Sequence, residues 1–527
     1  MNVPPRPLAF VRRWFGNLPS RARATVVLLC VLALGGACYG LYGPVTELLD
    51  PPCMRSGATD VTHRGAGGEC IGITDGAFVF DSALGDVERR IREEDEQVVR
   101  DHPHNYASVV LLLPISSDKG SIMSMTNAVE QVKGAFTAQY YTNRHSVEGI
   151  SPYIRLLIGS DGYQANESAA AADVIERAAA REHIAAVSGL GLSLDGTQDT
   201  VRRLTARQIP VFGATVTADT FNNIRNFVRV SPGNADNTRA AVDYVAAQYR
   251  RAVLVEDENG GDSYDATMVD GFNGLSRHSS LKIVQTETYD TTDRDRPGLS
   301  GQARQEAEDV VNTRISQMPV DICAAQPAVV LFGGRGQDLG TLLHALSSAC
   351  LDKPITLISG DDVTNLPDTA RLRQDLADGR LTVEYAGVAH PDEWNVSQNS
   401  AGPQDEQDGK QGFTVFHTAF EGLFRGDPLS DGNTMMAYDA TLAAVSAIRL
   451  TALPQPKPEA VAAELGALHD AHRVLGSTGP LRFTADYRGS DNGSNPVDKA
   501  IPILRLRRDG SSEVRTVEWP REHRPAP

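Results

Sequence analysis

The feature that most limits how this chain can fold is an alternation that begins at Tyr106 and persists to Ser359. Short apolar runs rich in β-branched residues alternate with stretches whose apolar residues recur at helical spacing. The run "YASVVLLLPI" (Tyr106–Ile115) ends in a polar turn and is followed by the helical pattern "SIMSMTNAVEQVKGAFTAQYYTN". Further strand-like runs occur at Tyr153–Ile158, Ile184–Val187, Ile209–Gly213, Phe227–Val230, Arg251–Val255, Leu281–Glu287, Ala328–Phe332 and Ile355–Ser359. Amphipathic stretches such as Ser168–Arg181, Asn234–Tyr249 and Gly301–Gln317 lie between them. Apolar strands separated by amphipathic helices specify parallel sheets covered by helices on both faces. So many units exceed one sheet, and the pattern predicts an α/β protein of two lobes, the second beginning near Asn234.

The ends of the chain read differently. Near the C-terminus "GFTVFHTAFEGLF" and "NTMMAYDATLAAVSAIRLTAL" predict two consecutive helices, and "GPLRFTADYRGSDNGS" and "AIPILRLRRDG" predict strands around a polar turn. At the N-terminus, residues 1–23 are basic. Ala24–Tyr42 ("ATVVLLCVLALGGACYGLY") is uncharged over 19 residues, close to the ~20 that span a bilayer core. One transmembrane anchor is therefore expected over 24–45. Arginines before it and acids after it place the N-terminus in the cytoplasm and the main domain outside, in a single-pass cell-membrane protein. A lipoprotein starting at Cys38 in "LGGAC", or a cleaved and secreted form, are the alternatives. Residues 46–104 read as an extracellular connector with an apolar patch at Ile71–Phe80 and a charged helical run at Asp86–Arg100.

The formal charge is −17, and the segment up to residue 45 carries arginines and no acids, so the remainder is more acidic still. Such a surface repels phosphate backbones, which argues against a nucleic-acid partner. Outside the anchor stand Cys53, Cys70, Cys323 and Cys350, which allow three pairings. Proximity in sequence favours Cys53–Cys70 and Cys323–Cys350 as structural disulfides of an exported protein. Neither pair has C-x-x-C spacing, and no metal site or cofactor is expected.

Several glycine-rich segments invite catalytic or nucleotide readings that their spacing does not support. "VLFGGRGQDLG" (Val330–Gly340) spells G-x-G-x-x-x-G between a strand and a helix, but in a later βα unit than a dinucleotide fingerprint occupies. "SGLGLSLDG" (Ser188–Gly196) lacks the G-x-S-x-G spacing of a nucleophile elbow. His102 and His104 sit in the connector with no further ligands. "GDDVTNLPD" (Gly360–Asp368) offers carboxylates that either cap a helix or face a cleft. Ser188–Ser193, Gly213–Thr217, Gly333–Gly336 and Gly360–Asp362 all follow the carboxyl ends of predicted parallel strands, where open α/β sheets bind ligands. Two of these loops belong to each lobe. Together they suit a small zwitterion in an inter-lobe cleft.

The ordered series "ASVVLLLP", "AAVSGLGLS", "IPVFGATVT", "FVRVSPGNADNTRAAVDYV", "VLFGGRGQDLGTLLHAL", "ITLISGDDVTNL" and "AYDATLAAVSAI" spans about Tyr106 to Trp519. Over that span the chain resembles the type I periplasmic-binding-protein superfamily, in particular the branched-chain amino-acid (leucine-binding) group of ABC-transporter substrate-binding proteins. The arginine-rich composition suits a bacterial, actinobacterial-type member. The resemblance implies two Rossmann-like lobes joined by crossover hinge strands, with lobe one at 105–233 and 386–475, lobe two at 234–385 and 476–519, and a tail at 520–527. It implies a non-enzymatic protein that captures a small polar ligand, such as an amino acid, by hinge closure for an ABC-type permease. A membrane-anchored sensing receptor acting through another membrane protein is the alternative, and an exported enzyme the least favoured. By position, Ser193, Thr215 and Thr217 hold a ligand carboxylate and Asp361, or its neighbour Asp362, holds an amino group. Tyr264 flanks the cleft. Arg335 stands where the family places an aromatic lid, a departure that points away from leucine-type specificity, to an anionic side chain, a second carboxylate, or a ligand that is no amino acid.

Overall fold

In the computed structural model the described residues are 53 and 55–519, apart from short internal stretches (66–67, 117–120, 297, 300, 350–353, 368, 378, 397–401, 430–431 and 485–492). The expected anchor at 24–45 and the 520–527 tail lie outside the described residues, as does Cys350. Among the described residues no helix is long and apolar enough to cross a membrane.

The first sheet contains β1 (Arg55–Ser56), β2 (Thr59–Arg64), β3 (Cys70–Thr74), β4 (Tyr106–Leu113), β5 (Tyr153–Ser160), β6 (Ile184–Gly189), β7 (Val211–Gly213) and β8 (Phe227–Arg229). Its order is β1-β2-β3-β5-β4-β6-β7-β8. From β5 to β8 the strands are parallel, whereas β1, β2 and β3 pair antiparallel and add to the β5 edge. Strands β1, β2 and β3, within the 46–104 segment read from the sequence as connector, thus belong to the sheet. The helix Gly85–Asp101 turns its Val87, Ile91 and Val98 inward. Their apolar runs are too short and too interrupted by polar residues to show a strand pattern alone, and edge pairing completes them.

The second sheet contains β9 (Arg251–Asp257), β10 (Lys282–Tyr289), β11 (Val329–Gly333), β12 (Ile355–Ser359) and β13 (Leu381–Ala386). After the hairpin β14 (Val474–Gly476) and β15 (Gly479–Leu481), it is completed by β16 (Ile501–Leu506) and β17 (Ser512–Glu518). The order is β10-β9-β11-β12-β13-β16-β17, parallel through β13 and antiparallel beyond. Both sheets are therefore parallel over most of their width, as expected, with antiparallel strands added at one edge.

Period-2 alternation builds the layers. In β4, Val109, Leu111 and Leu113 join one core cluster while Val110 and Leu112 join the cluster on the opposite face. In the second sheet Val253 and Val330 face one layer, and Leu254 and Leu331 the other. Helices Met125–Thr142, Pro403–Leu423 and Asn433–Leu450 supply Phe136, Phe416 and Met435 to the first sheet's core, although two of them follow the second sheet's parallel strands in the chain. The chain passes between the lobes after β8, after β13 and between β15 and β16.

Polar groups at these passages are tightly satisfied. Arg229, fully buried, donates to Asn495 Oδ1 (2.8 Å) and to the Ala218 carbonyl (2.6 Å). Asp439 accepts from the Ser477 and Thr478 backbone amides, and buried Lys499 donates to Thr478. Cys53, Cys70 and Cys323 are each disulfide-bonded.

Candidate functional site

The carboxyl ends of β6, β7, β9, β11 and β12 converge. From lobe one, the loop after β6 brings Ser193 and the loop after β7 brings Thr215 and Thr217. From lobe two, β9 leads to Asp262, which accepts from the Tyr264 and Asp265 amides and caps the helix Ser263–His278. β11 leads to Arg335, and β12 to the turn holding Asp361 and Asp362. Ser193, Thr215, Tyr264, Arg335, Asp361 and Asp362 line one cavity together with Asn127, Gln131, Asn365 and Asn433. Thr217 lies immediately behind, its hydroxyl 3.5 Å from Asp361 Oδ1. All seven residues singled out in the sequence are thus brought to one place.

Their bonding differs from the sequence expectation. Ser193 Oγ accepts from the Thr217 and Ala218 amides (2.8 and 3.1 Å), and the Thr215 hydroxyl donates to the Gly191 carbonyl (2.7 Å). Of the three side chains expected to hold a carboxylate, Thr215 donates within lobe one, Thr217 faces Asp361, and Ser193 accepts from two amides while keeping its own O–H to donate.

Arg335 is the centre of the second wall. Its Nε and one terminal nitrogen fork onto Asp262 (2.7 and 2.8 Å), and the other terminal nitrogen reaches Asp362 Oδ1 (3.0 Å). The fork also crosses the cleft to the Ser193 carbonyl at 3.0 Å. Burial alone would drive the guanidinium towards its neutral form. The surrounding Asp262, Asp362 and Asp265 outweigh burial and raise its pKa well above the ordinary value. An anionic ligand group would have to compete with Asp262 and Asp362 for this guanidinium. The aromatic surface comes instead from Tyr264: the guanidinium sits 4.5 Å over its ring, and its hydroxyl accepts from the Asp362 amide (3.2 Å).

The glycines beside Arg335 have a local cause. A Cβ on Gly334 would collide with the Tyr289 hydroxyl, and one on Gly336 with the Asp362 carbonyl. The loop is glycine-rich because two neighbouring segments press on its backbone, and the Gly336 amide donates to Asp362 Oδ2 at 2.6 Å.

The remaining carboxyls are electrostatically unlike. Asp361 is pushed up to about 7, chiefly by burial and then by Asp362. Asp265, buried with neither side-chain oxygen hydrogen-bonded, is raised well above the usual carboxylate range by burial and by Asp262. Gln131 Oε1 is also buried without a donor and belongs to a side chain that lines the cavity. Asn127 donates across the cleft to Asn365 Oδ1 (2.5 Å). In this closed arrangement about 20 Å³ is left for water centres, room for roughly one water-sized group.

Sequence reasoning missed Asp262, Asp265, Asn127 and Gln131. "GGDSYDA" did contain a signal: Asp262 precedes a helix as an N-cap, and Asp265 follows three positions later on the same face. Nothing in the pattern of Met125–Thr142 distinguishes Asn127 and Gln131 from ordinary polar positions.

No protein-family model matches the sequence, and no curated protein does so. Solved structures match over most of the chain. An ABC transporter substrate-binding protein from Desulfitobacterium hafniense in complex with Leu aligns at TM-score 0.52 and 16% identity, over 78% of this chain and 99% of that one. The fold is that of the type I periplasmic binding proteins. A branched-chain amino acid transporter substrate binding protein from Streptococcus pneumoniae in complex with isoleucine aligns at TM-score 0.53 and 15% identity, over 79% and 99% of the two chains. A solute binding protein from R. palustris in complex with benzoate aligns at TM-score 0.50 and 16% identity, over 78% and 96%. Periplasmic binding proteins of this type thus share the two-lobed frame, while the ligands in these structures differ in charge and shape.

Proposed function

We propose that the protein is an extracytoplasmic solute-binding protein that captures a small polar ligand bearing an amine between its lobes, for an ABC-type uptake system. The observation that carries this reading is the convergence of loops from both lobes on one enclosed cavity whose buried acceptors include Asp361 and Gln131 Oε1. An ammonium group answers both, through charge and through its N–H donors. Opening about the inter-lobe passages admits the ligand, and closure brings Asp361 and the Tyr264–Arg335 pair onto it. The cavity is lined by no histidine or cysteine, and the Ser193 oxygen already accepts two amides, which supports binding rather than catalysis. The apolar run at 24–45 supports single-pass anchoring with this domain outside.

A thermal-shift screen of simple amines, amino acids, carboxylates and sugars on the purified protein tests the reading, since a ligand of the folded form stabilises it by mass action. Amines or amino acids should raise the melting temperature. No shift with any of them, or a response to carboxylates alone, sinks the assignment.

One observation favours a second reading, a membrane-anchored receptor without a transporter. Direct hydrogen bonds across the cleft, Arg335 to the Ser193 carbonyl and Asn127 to Asn365, favour the closed form independently of what the cleft holds. Scattering profiles with and without amine separate the two. Uptake predicts an open form that closes on binding, and a receptor of this kind a closed form that opens.

A further inference from the structure

A second pocket, of about 330 Å³, lies within lobe one, away from the residues of the cleft. It is walled by the helices Pro403–Leu423 and Asn433–Leu450, the C-terminal turn of Met125–Thr142 and strand β14. Tyr438 lines it. That ring is 1% exposed and packs against Phe416 with centroids 4.9 Å apart, yet among the described residues its hydroxyl has no hydrogen-bond partner. The hydroxyl is not sealed from the cavity, so its O–H is a donor offered to whatever occupies a space of ligand size.

The rest of the lining limits that occupant. Val415, Leu442 and Val474 are apolar. Both charged side chains have partners: Glu148 accepts from His472 Nδ1 at 2.9 Å, and Arg473 forks onto Asp408 at 2.6 and 3.2 Å. The one cation of the lining is thus already paired with a carboxylate, and Glu148 repels a ligand anion. Ser446 donates to the Leu442 carbonyl at 2.9 Å, which leaves the Tyr438 hydroxyl as the buried donor. Burial raises the Tyr438 pKa well above the ordinary value, so the phenol stays protonated and donating.

We propose that this pocket is a second ligand site, separate from the inter-lobe cleft, for an uncharged ring-sized molecule with an apolar body and one hydrogen-bond-accepting oxygen directed at Tyr438. Its position gives it a route to the hinge. β14 runs directly into the Ser477–Thr478 turn, which is held by Asp439, the residue next to Tyr438.

Ligand-observed NMR titrations on the full chain test this with three probes of similar size: acetophenone, ethylbenzene and benzoate. Acetophenone should bind several-fold more tightly than ethylbenzene, and benzoate should not compete. Tyr438→Phe should weaken acetophenone by about three- to tenfold, the worth of one hydrogen bond, and leave ethylbenzene unchanged. Val415→Trp, which fills the pocket, should abolish binding of both, while Asp361→Asn in the cleft should affect neither. Failure of acetophenone to bind, equal affinity for ethylbenzene, or indifference to Val415→Trp overturns the proposal. If Tyr438→Phe proves unstable, the preference of the unmodified protein for acetophenone over ethylbenzene still decides it. Because Asp361→Asn weakens the proposed amine site only, failure of one site is read independently of the other.

Discussion

On the lobe-one wall of the cleft the Ser193 and Thr215 side chains close on their own backbone, whereas the lobe-two wall crowds four aspartates around one guanidinium. The first wall is neutral and is braced by its own backbone amides. The second stores charge in a buried setting, with Arg335 balancing Asp262 and Asp362 while Asp361 and Asp265 are pushed towards their protonated forms. The contrast indicates a division of labour: lobe one fixes the shape of the cavity, and lobe two decides what charge may enter.

The sharpest way to break this contrast is Arg335→Ala. It leaves Asp262 and Asp362 buried without their counter-charge, and removing one partner of a buried pair costs about 3–5 kcal/mol. Urea denaturation should show a loss of that size. A change under ~1 kcal/mol would mean that the second wall is not held by its ion pairs. Next in size is Asp361→Asn, which should weaken amine binding at pH 8 by roughly thirtyfold or more, the range for truncating a buried charge partner. Calorimetry checks this, and undiminished affinity removes Asp361 from the site.

A smaller effect is expected on the other wall. Ser193→Ala strands the Thr217 and Ala218 amides and should cost about 1–3 kcal/mol of stability, measurable by thermal unfolding. It should leave amine affinity within a few-fold. A large loss of affinity would show that lobe one also reads the ligand.

The smallest effect is the pH response of the Asp361 carboxyl. Its folded pKa, about 7, is raised above the ordinary value of 3.8. Its contribution to stability is therefore fully present below the unfolded pKa and lost as pH rises through 7. Between pH 6 and 8 the wild type should lose about 1 kcal/mol relative to Asp361→Asn. Parallel pH profiles would contradict the burial of this group.

The parallel strands were legible because both faces of each are apolar: Val109–Leu113 reads as a strand without any knowledge of its neighbours. β13 was not, since "LTVEYA" carries Glu384 in its centre. That carboxylate is buried and accepts from Arg505 and Tyr244, partners remote in sequence. The antiparallel edge β1–β3 was hidden for a related reason, because its residues gain an apolar environment only by docking on β5. Within the site, chain position was enough to find Ser193, Thr215, Thr217, Tyr264, Arg335, Asp361 and Asp362. Their hydrogen-bond directions were not readable, because whether a serine oxygen faces a ligand or a backbone amide depends on a few degrees of loop geometry. The same holds for Arg335, whose engagement rests on Asp262, 73 residues earlier.

The order in which the lobes are threaded also sets a timetable for synthesis. The strands of the first sheet are complete by Arg229, yet the residues that cover one of its faces, among them Phe416, Met435 and Phe483, emerge only after the parallel strands of the second sheet. A nascent chain halted near residue 390 would expose an uncovered apolar sheet and an unfinished partner beside it, the kind of species that aggregates. Both lobes therefore mature together, near the end of translation, and a protein threaded this way is suited to being kept unfolded until the whole chain is available.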